Sequence, residues 1–214
     1  MAKEVLIILN RGGWGDGGLE RAHEERGVLE GISRVLVSQG WKCRVQVFDR
    51  LRFLTFGKHA KAAWDLLLGY KQASQNLAQE LQTTLKAFPG RCIVLVGYSL
   101  GAIVNISTMK RLPYESRLYS IQIGPPFFIH SPAQERILQL QRKDDAFTSG
   151  PFFAFLIVLL KACLVVAANI GTFQGRSILD VWHMKGHDYV WDDPAVRIPI
   201  EQFLRFHFPQ IVLG

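Results

Sequence analysis

Cysteine is scarce in this chain and falls into no pattern. Cys43, Cys92 and Cys163 are the only three in 214 residues, each in apolar or strand-like surroundings, and no two form a C-x-x-C. An odd count without framework spacing excludes a disulfide scaffold and predicts reduced core thiols in a cytoplasmic protein. No His/Cys/Asp cluster has the spacing of metal ligands, so no metal is expected. A basic run with interleaved aromatics is also lacking. The net charge is +7, but Lys and Arg are scattered, which argues against a nucleic-acid partner and leaves a mild attraction to anionic surfaces such as membranes. There are no repeats, low-complexity tracts or linkers. The first apolar run, VLIIL, is five residues long, too short for the core of a signal peptide and suited to a first strand. The stretch 10–18 (NRGGWGDGG) holds five glycines but does not spell G-x-G-x-x-G, which sets aside a dinucleotide site.

What remains is a globular composition, 49% hydrophobic and 20% charged, over a length that suits one domain spanning 1–214. Residues 5–9 predict a buried strand. A helix is expected over 19–39, with Val28, Ile32, Val35 and Leu36 on one face and Gly40 as its stop. Residues 42–48 alternate (Cys43, Val45 and Val47 against Lys42, Arg44 and Gln46) in the manner of a strand at a sheet edge. Residues 60–68 look helical after an irregular crossing. A clearer helix covers 72–88, where Ala73, Leu77, Leu81, Leu85 and Phe88 recur every three or four positions until Pro89-Gly90 ends it. Further strands are expected at 92–96, 118–123, 136–141 and 178–182. A helix at 102–110 shows Ile103, Ile106 and Met109 on one side, and another closes the chain at 198–208. Strands alternating with helices predict an α/β fold with a mostly parallel sheet covered on both faces.

The densest chemical signal lies at 91–111. A short buried strand runs into Gly97-Tyr98-Ser99-Leu100-Gly101, and a helix follows. Strand, G-x-S-x-G and helix together are the context of a nucleophile elbow. A serine on so tight a turn has a strained backbone, so the residues two positions either side must be small. Its hydroxyl then stands at the positive end of the next helix. Groups at the carboxyl ends of strands gather on one edge of a parallel sheet. Besides Ser99, this chain places there Gly12 and Gly13, Asp144 or Asp145, and His183 or His187. A serine hydroxyl needs a base in reach, and histidine has the right pKa; a carboxylate then fixes its tautomer. Asp188, Asp192 and Asp193 look like turn and cap residues. His23, His59, His130 and His207 show no pattern.

With those parts in the order Ser, Asp, His, the chain resembles the compact lipases, esterases and thioesterases of the α/β-hydrolase family. The resemblance covers nearly the whole chain in outline, and its specific motifs lie at four spots. It implies Ser99 as nucleophile and the Leu100 N–H as one oxyanion donor. Arg11-Gly12-Gly13 stands where the family often has His-Gly-Gly, which implies Gly13 as the second donor, with Arg11 in place of the histidine. The family acid commonly follows the strand after next from the elbow as Asp-x-hydrophobic. Asp145-Ala146-Phe147 fits that pattern better than Asp144, which stays as the alternative acid. Gly186-His187 fits the family base better than His183, the alternative base. Counted against the family, the chain begins at the third strand, an N-terminally trimmed fold.

The segment that starts at Phe152 and ends at Ala168 carries one charge in 17 residues. As a helix it would span roughly 26 Å, close to a bilayer core. A bilayer crossing conflicts with a triad that needs residues before and after it on one sheet edge, so a crossover helix is expected within 151–170. Its surplus apolar side suits a peripheral membrane contact, an oligomer contact, or a lid over an acyl pocket, and an unusually buried core helix is the plain alternative. The resemblance implies a serine hydrolase of a carboxylic ester or thioester with a lipophilic acyl group, working without a cofactor. Transfer of the acyl group to an alcohol fits the same residues. An alternative of another class is a non-catalytic module binding a membrane or protein partner.

Overall fold

The computed structural model of the chain describes residues 3–12, 23–48, 70–127, 129–145, 148 and 188–211. Outside them lie Gly13, His183 and His187, the expected helix at 60–68, the apolar segment 152–168 and the expected strand at 178–182. Among the described residues the elements are β1 (Glu4–Asn10), α1 (His23–Ser38), β2 (Lys42–Val47), α2 (Lys71–Ala87), β3 (Arg91–Tyr98), α3 (Leu100–Arg111), β4 (Leu118–Ile123), β5 (Ile137–Leu140) and α4 (Pro194–His207).

The five strands form one sheet in the order β2-β1-β3-β4-β5, and every neighbouring pair is parallel. Strand β1 explains why both faces must be covered. Its odd residues Val5, Ile7 and Leu9 point into one apolar layer, and Leu6 and Ile8 into the other. Period-two alternation with both sets apolar is the mark of a strand buried on both sides. Helices α1 and α4 cover the first face through Val28, Ile32, Leu36, Val196, Ile200 and Leu204. Helices α2 and α3 cover the second through Leu77, Leu81, Leu85, Ile103 and Met109. Truncating one such side chain, Leu77→Ala for example, removes about 2–5 kcal/mol of stability.

The path leaves β1 in one direction to reach β2, then crosses back to β3 and continues through β4 to β5. The carboxyl ends of β1 and β3 are therefore the point where the winding reverses, the crevice in which open α/β sheets place their ligands. Strand β2 lies at an edge, as its alternation predicted. Two helices differ from expectation. Helix α3 is buried on all sides, from Leu100 through Ile106 and again at Thr108 and Met109, because α2 packs over the side that the sheet does not cover. Helix α4 starts at Pro194 and runs straight through Pro199. Its start is set by Asp193, whose Oδ1 accepts the Ala195 N–H at 2.9 Å, with proline next at the first helical position. No described helix is long and apolar enough to cross a membrane.

Candidate functional site at the carboxyl edge of the sheet

Ser99 occupies the turn between β3 and α3 with φ 49° and ψ −116°, a region that residues with a side chain rarely enter. Such strain persists only when the surroundings over-determine it. The two glycines show how. A Cβ on Gly97 would lie 2.5 Å from Asn105 Nδ2 and 2.8 Å from the Ala102 Cα. A Cβ on Gly101 would run into the backbone carbonyls of Asn10 and Arg11. The helix thus rests directly on the end of β1, and only glycine permits it. Below the turn, Asn10 Nδ2 donates to Asn105 Oδ1 at 2.6 Å, both residues fully buried, which ties the end of β1 to α3. The Ser99 N–H donates to the Ile123 carbonyl of β4 at 2.8 Å. Leu100 is the first residue of α3, so its N–H has no intrahelical acceptor and is available to an anion.

The loop leaving β1 lies against this turn. A Cβ placed on Gly12 would be 3.7 Å from the Ser99 Cβ. Glu25, in the first turn of α1, holds that loop with both carboxylate oxygens. Its Oε1 accepts the Gly12 N–H at 2.7 Å and its Oε2 accepts the Arg11 Nε–H at 2.9 Å. The Arg11 and Glu25 side chains are each only 12% exposed.

Beyond β5 the two adjacent aspartates separate. Asp144 is 63% exposed and faces Arg142, with contacts of 3.1 and 3.2 Å. The hydrogen bond from that guanidinium holds its carboxyl below the usual carboxylate range. Asp145 is completely buried, and its Oδ2 accepts the Tyr189 hydroxyl at 2.9 Å. Burial, and then the charge of Asp145, pushes the Tyr189 phenol well above its ordinary pKa. The Tyr189 oxygen in turn accepts the Arg142 N–H at 3.2 Å. Arg142 Nη1 adds bonds to the Asp188 carbonyl at 3.3 Å and to Asp193 Oδ2 at 2.9 Å. The loop after β5 is therefore stapled to the segment 188–193.

Of the expected site residues, Ser99 and Leu100 form the corner at β3, Asp145 and Asp144 follow β5, and Gly13, His183 and His187 lie outside the described residues. Glu25 and Tyr189 were missed by sequence reasoning. Neither belongs to a motif, and each finds its partner only through the folded sheet. Among the described residues no group of three His, Cys, Asp or Glu side chains could hold a metal ion.

No protein-family model matches the chain, and no curated protein matches it in sequence. Solved structures do. A Trichoderma reesei cutinase in complex with a C11Y4 phosphonate inhibitor aligns at a TM-score of 0.50 with 20% identity, over 69% of this chain and 64% of that one. The match thus spans less than two thirds of that cutinase. A cutinase-like protein from Cryptococcus sp. aligns at a TM-score of 0.50 with 13% identity, over 98% of this chain and 97% of that one. At such identities the likeness is one of architecture. The five-stranded parallel sheet with flanking helices is an α/β-hydrolase-like fold, shared with cutinases.

Proposed function

We propose that the protein is a serine hydrolase that cleaves a carboxylic ester or thioester carrying a lipophilic acyl group. The observation that carries this reading is Ser99 itself, strained at the carboxyl end of β3 beside the winding reversal and at the amino end of α3. The Ser99 Oγ attacks the carbonyl carbon and His187 takes the hydroxyl proton. The carbonyl oxygen becomes an oxyanion that the N–H groups of Leu100 and Gly13 stabilise, typically the largest electrostatic contribution in acyl transfer. His187 returns the proton to the departing alcohol or thiol as the acyl–oxygen or acyl–sulfur bond breaks. Water, deprotonated by the same base, then releases the acid from the acyl-enzyme and restores Ser99.

Asp145 is the acid in this reading. It is buried and follows the strand after next from the elbow, whereas Asp144 is exposed and spent on Arg142. Tyr189, bonded to Asp145, stands two residues after His187. Two residues reach at most about 7 Å, which favours His187 over His183, six residues away from Tyr189. The Trichoderma cutinase was captured with a phosphonate, and the same reagent class provides the test. A fluorophosphonate is expected to label wild type and not Ser99→Ala, and p-nitrophenyl esters of rising chain length to be turned over only by wild type. Absence of labelling in folded wild-type protein overturns the reading.

A further inference from the structure

Asn10 and Asn105 are fully buried amides in a layer built mostly of apolar side chains. They share one hydrogen bond, from Asn10 Nδ2 to Asn105 Oδ1 at 2.6 Å. Asn10 Oδ1 and Asn105 Nδ2 make none among the described residues. One such bond does not offset the burial of both amides, whereas an apolar pair of the same shape would be neutral or stabilising there. As a contribution to stability the pair is a poor choice. What it supplies that apolar side chains do not is direction.

Asn10 is tied to both limbs of the turn at Ser99. It pairs in the parallel ladder with Gly97, which precedes the serine on β3. Its side chain reaches Asn105, which follows the serine on α3. Gly101 and Asn105 are one helical turn apart and so lie on one face of α3, the face turned to the end of β1. Gly101 sets how closely the helix can approach, since a Cβ there would run into the Asn10 carbonyl. A steric limit of that kind leaves the helix free to roll about its axis. The hydrogen bond one turn further along removes that freedom, and so fixes Ser99 and the Leu100 N–H at the head of the helix.

We infer that Asn10 and Asn105 are a positioning pair for acyl transfer: their bond fixes the rotation of α3 against β1 and so aims the Ser99 hydroxyl and the Leu100 N–H. The inference rests on the serine-hydrolase reading above and extends it to two buried residues that never touch substrate. Leucine at both positions keeps the branched outline of the amides and removes the bond. Gln122 serves as the control. It is Gly97's partner on β4 and equally buried, but its amide turns along its own strand to Ser120 at 3.3 Å.

The test measures steady-state turnover of p-nitrophenyl butyrate and the rate of fluorophosphonate labelling, with thermal unfolding alongside. It compares wild type with Asn10→Leu, Asn105→Leu, the double variant and Gln122→Met. Misplacing a reacting group by about 1 Å can cost on the order of 10²-fold in rate. The double variant is expected to unfold at or above the wild-type temperature and yet to lose roughly 10- to 100-fold in kcat, with KM changed less than about threefold and labelling slowed in step. Because the two amides act as one unit, it should lose no more kcat than the worse single variant. Gln122→Met should stay within about twofold of wild type. A purely structural role would lower the unfolding temperature and leave kcat of the folded fraction intact. Turnover of the double variant within about twofold of wild type, its failure to fold, or an equal loss in Gln122→Met overturns the positioning pair alone. If a single variant does not fold, the double variant still decides, since it leaves no amide unpaired. Failure of wild type to label overturns the hydrolase reading and the pair with it.

Discussion

At the end of β3 the chain is positioned by what its residues lack, whereas at the end of β5 it is positioned by what they carry. Gly97 and Gly101 have no Cβ, and α3 therefore lies against β3 at Gly97 and on the end of β1 at Gly101, with no room for a methyl group at either. At the other corner Asp145, Tyr189 and Arg142 are linked by donor and acceptor atoms between 2.9 and 3.2 Å. A steric corner is indifferent to pH and salt and fails all at once. A hydrogen-bonded corner fails in degrees, because each bond contributes about 0.5–1.5 kcal/mol, more when a charged group takes part.

The largest effect is expected at the steric corner. Gly101→Ala should cost at least about 4 kcal/mol, enough to unfold a domain of ordinary stability, because the obstacle is backbone and cannot rotate away. Gly97→Ala should cost less, since its Cβ would meet backbone at 2.8 Å, at Ala102, against 2.1 Å for Gly101 at the Asn10 carbonyl. Chemical denaturation of both variants checks the order, and equal midpoints to wild type would break the contrast. Next come the neighbouring carboxylates. Asp145→Asn is expected to lower kcat by about 10³–10⁴-fold, the scale of a triad acid. Asp144→Asn, which gives up only an exposed ion pair, should remain within twofold of wild type. Ester turnover by the two variants decides between them.

The smallest effect sharpens the comparison through pH. Tyr189→Phe deletes a bond to a buried carboxylate and should lower stability by about 1.5–3 kcal/mol at neutral pH. The folded phenol titrates above its unfolded value of about 10. The stabilisation that Tyr189 contributes is therefore complete below pH 10 and declines as the solution is made more alkaline. The gap in stability between wild type and Tyr189→Phe should narrow from about pH 10 upward, as unfolding curves at pH 8 and 10.5 can show.

The fold was largely legible because β1, β3 and β4 are short apolar runs bounded by turn residues, and β2 announces its edge position by alternation. The strained turn at Ser99 was legible for the same reason: its requirements lie within five consecutive residues. Helix boundaries were less so. Pro199 normally argues against a helix passing through it, and the Asp193-Pro194 start lies upstream of that obstacle. The all-round burial of α3 could not be read from Ile103, Ile106 and Met109, since it depends on α2 arriving from elsewhere. Glu25 and Tyr189 left no trace in the sequence. Their partners are 13 and 44 residues distant, and no periodicity marks such a pair.

The seat of Gly101 on the Asn10 and Arg11 carbonyls also has a consequence in time. Strand β1 meets β3 across 87 residues of chain, from Glu4 to Arg91, and closing a loop of that length costs roughly 4 kcal/mol of entropy before any contact repays it. Until that closure is made, the Asn10 and Arg11 carbonyls do not press on the turn at Ser99, and its strained backbone lacks that support. A chain in which the first and third strands have not yet paired therefore carries this serine on an ordinary, unstrained turn. The strained geometry of the turn is thus a product of long-range closure, arriving only with the joining of the first strand to the third.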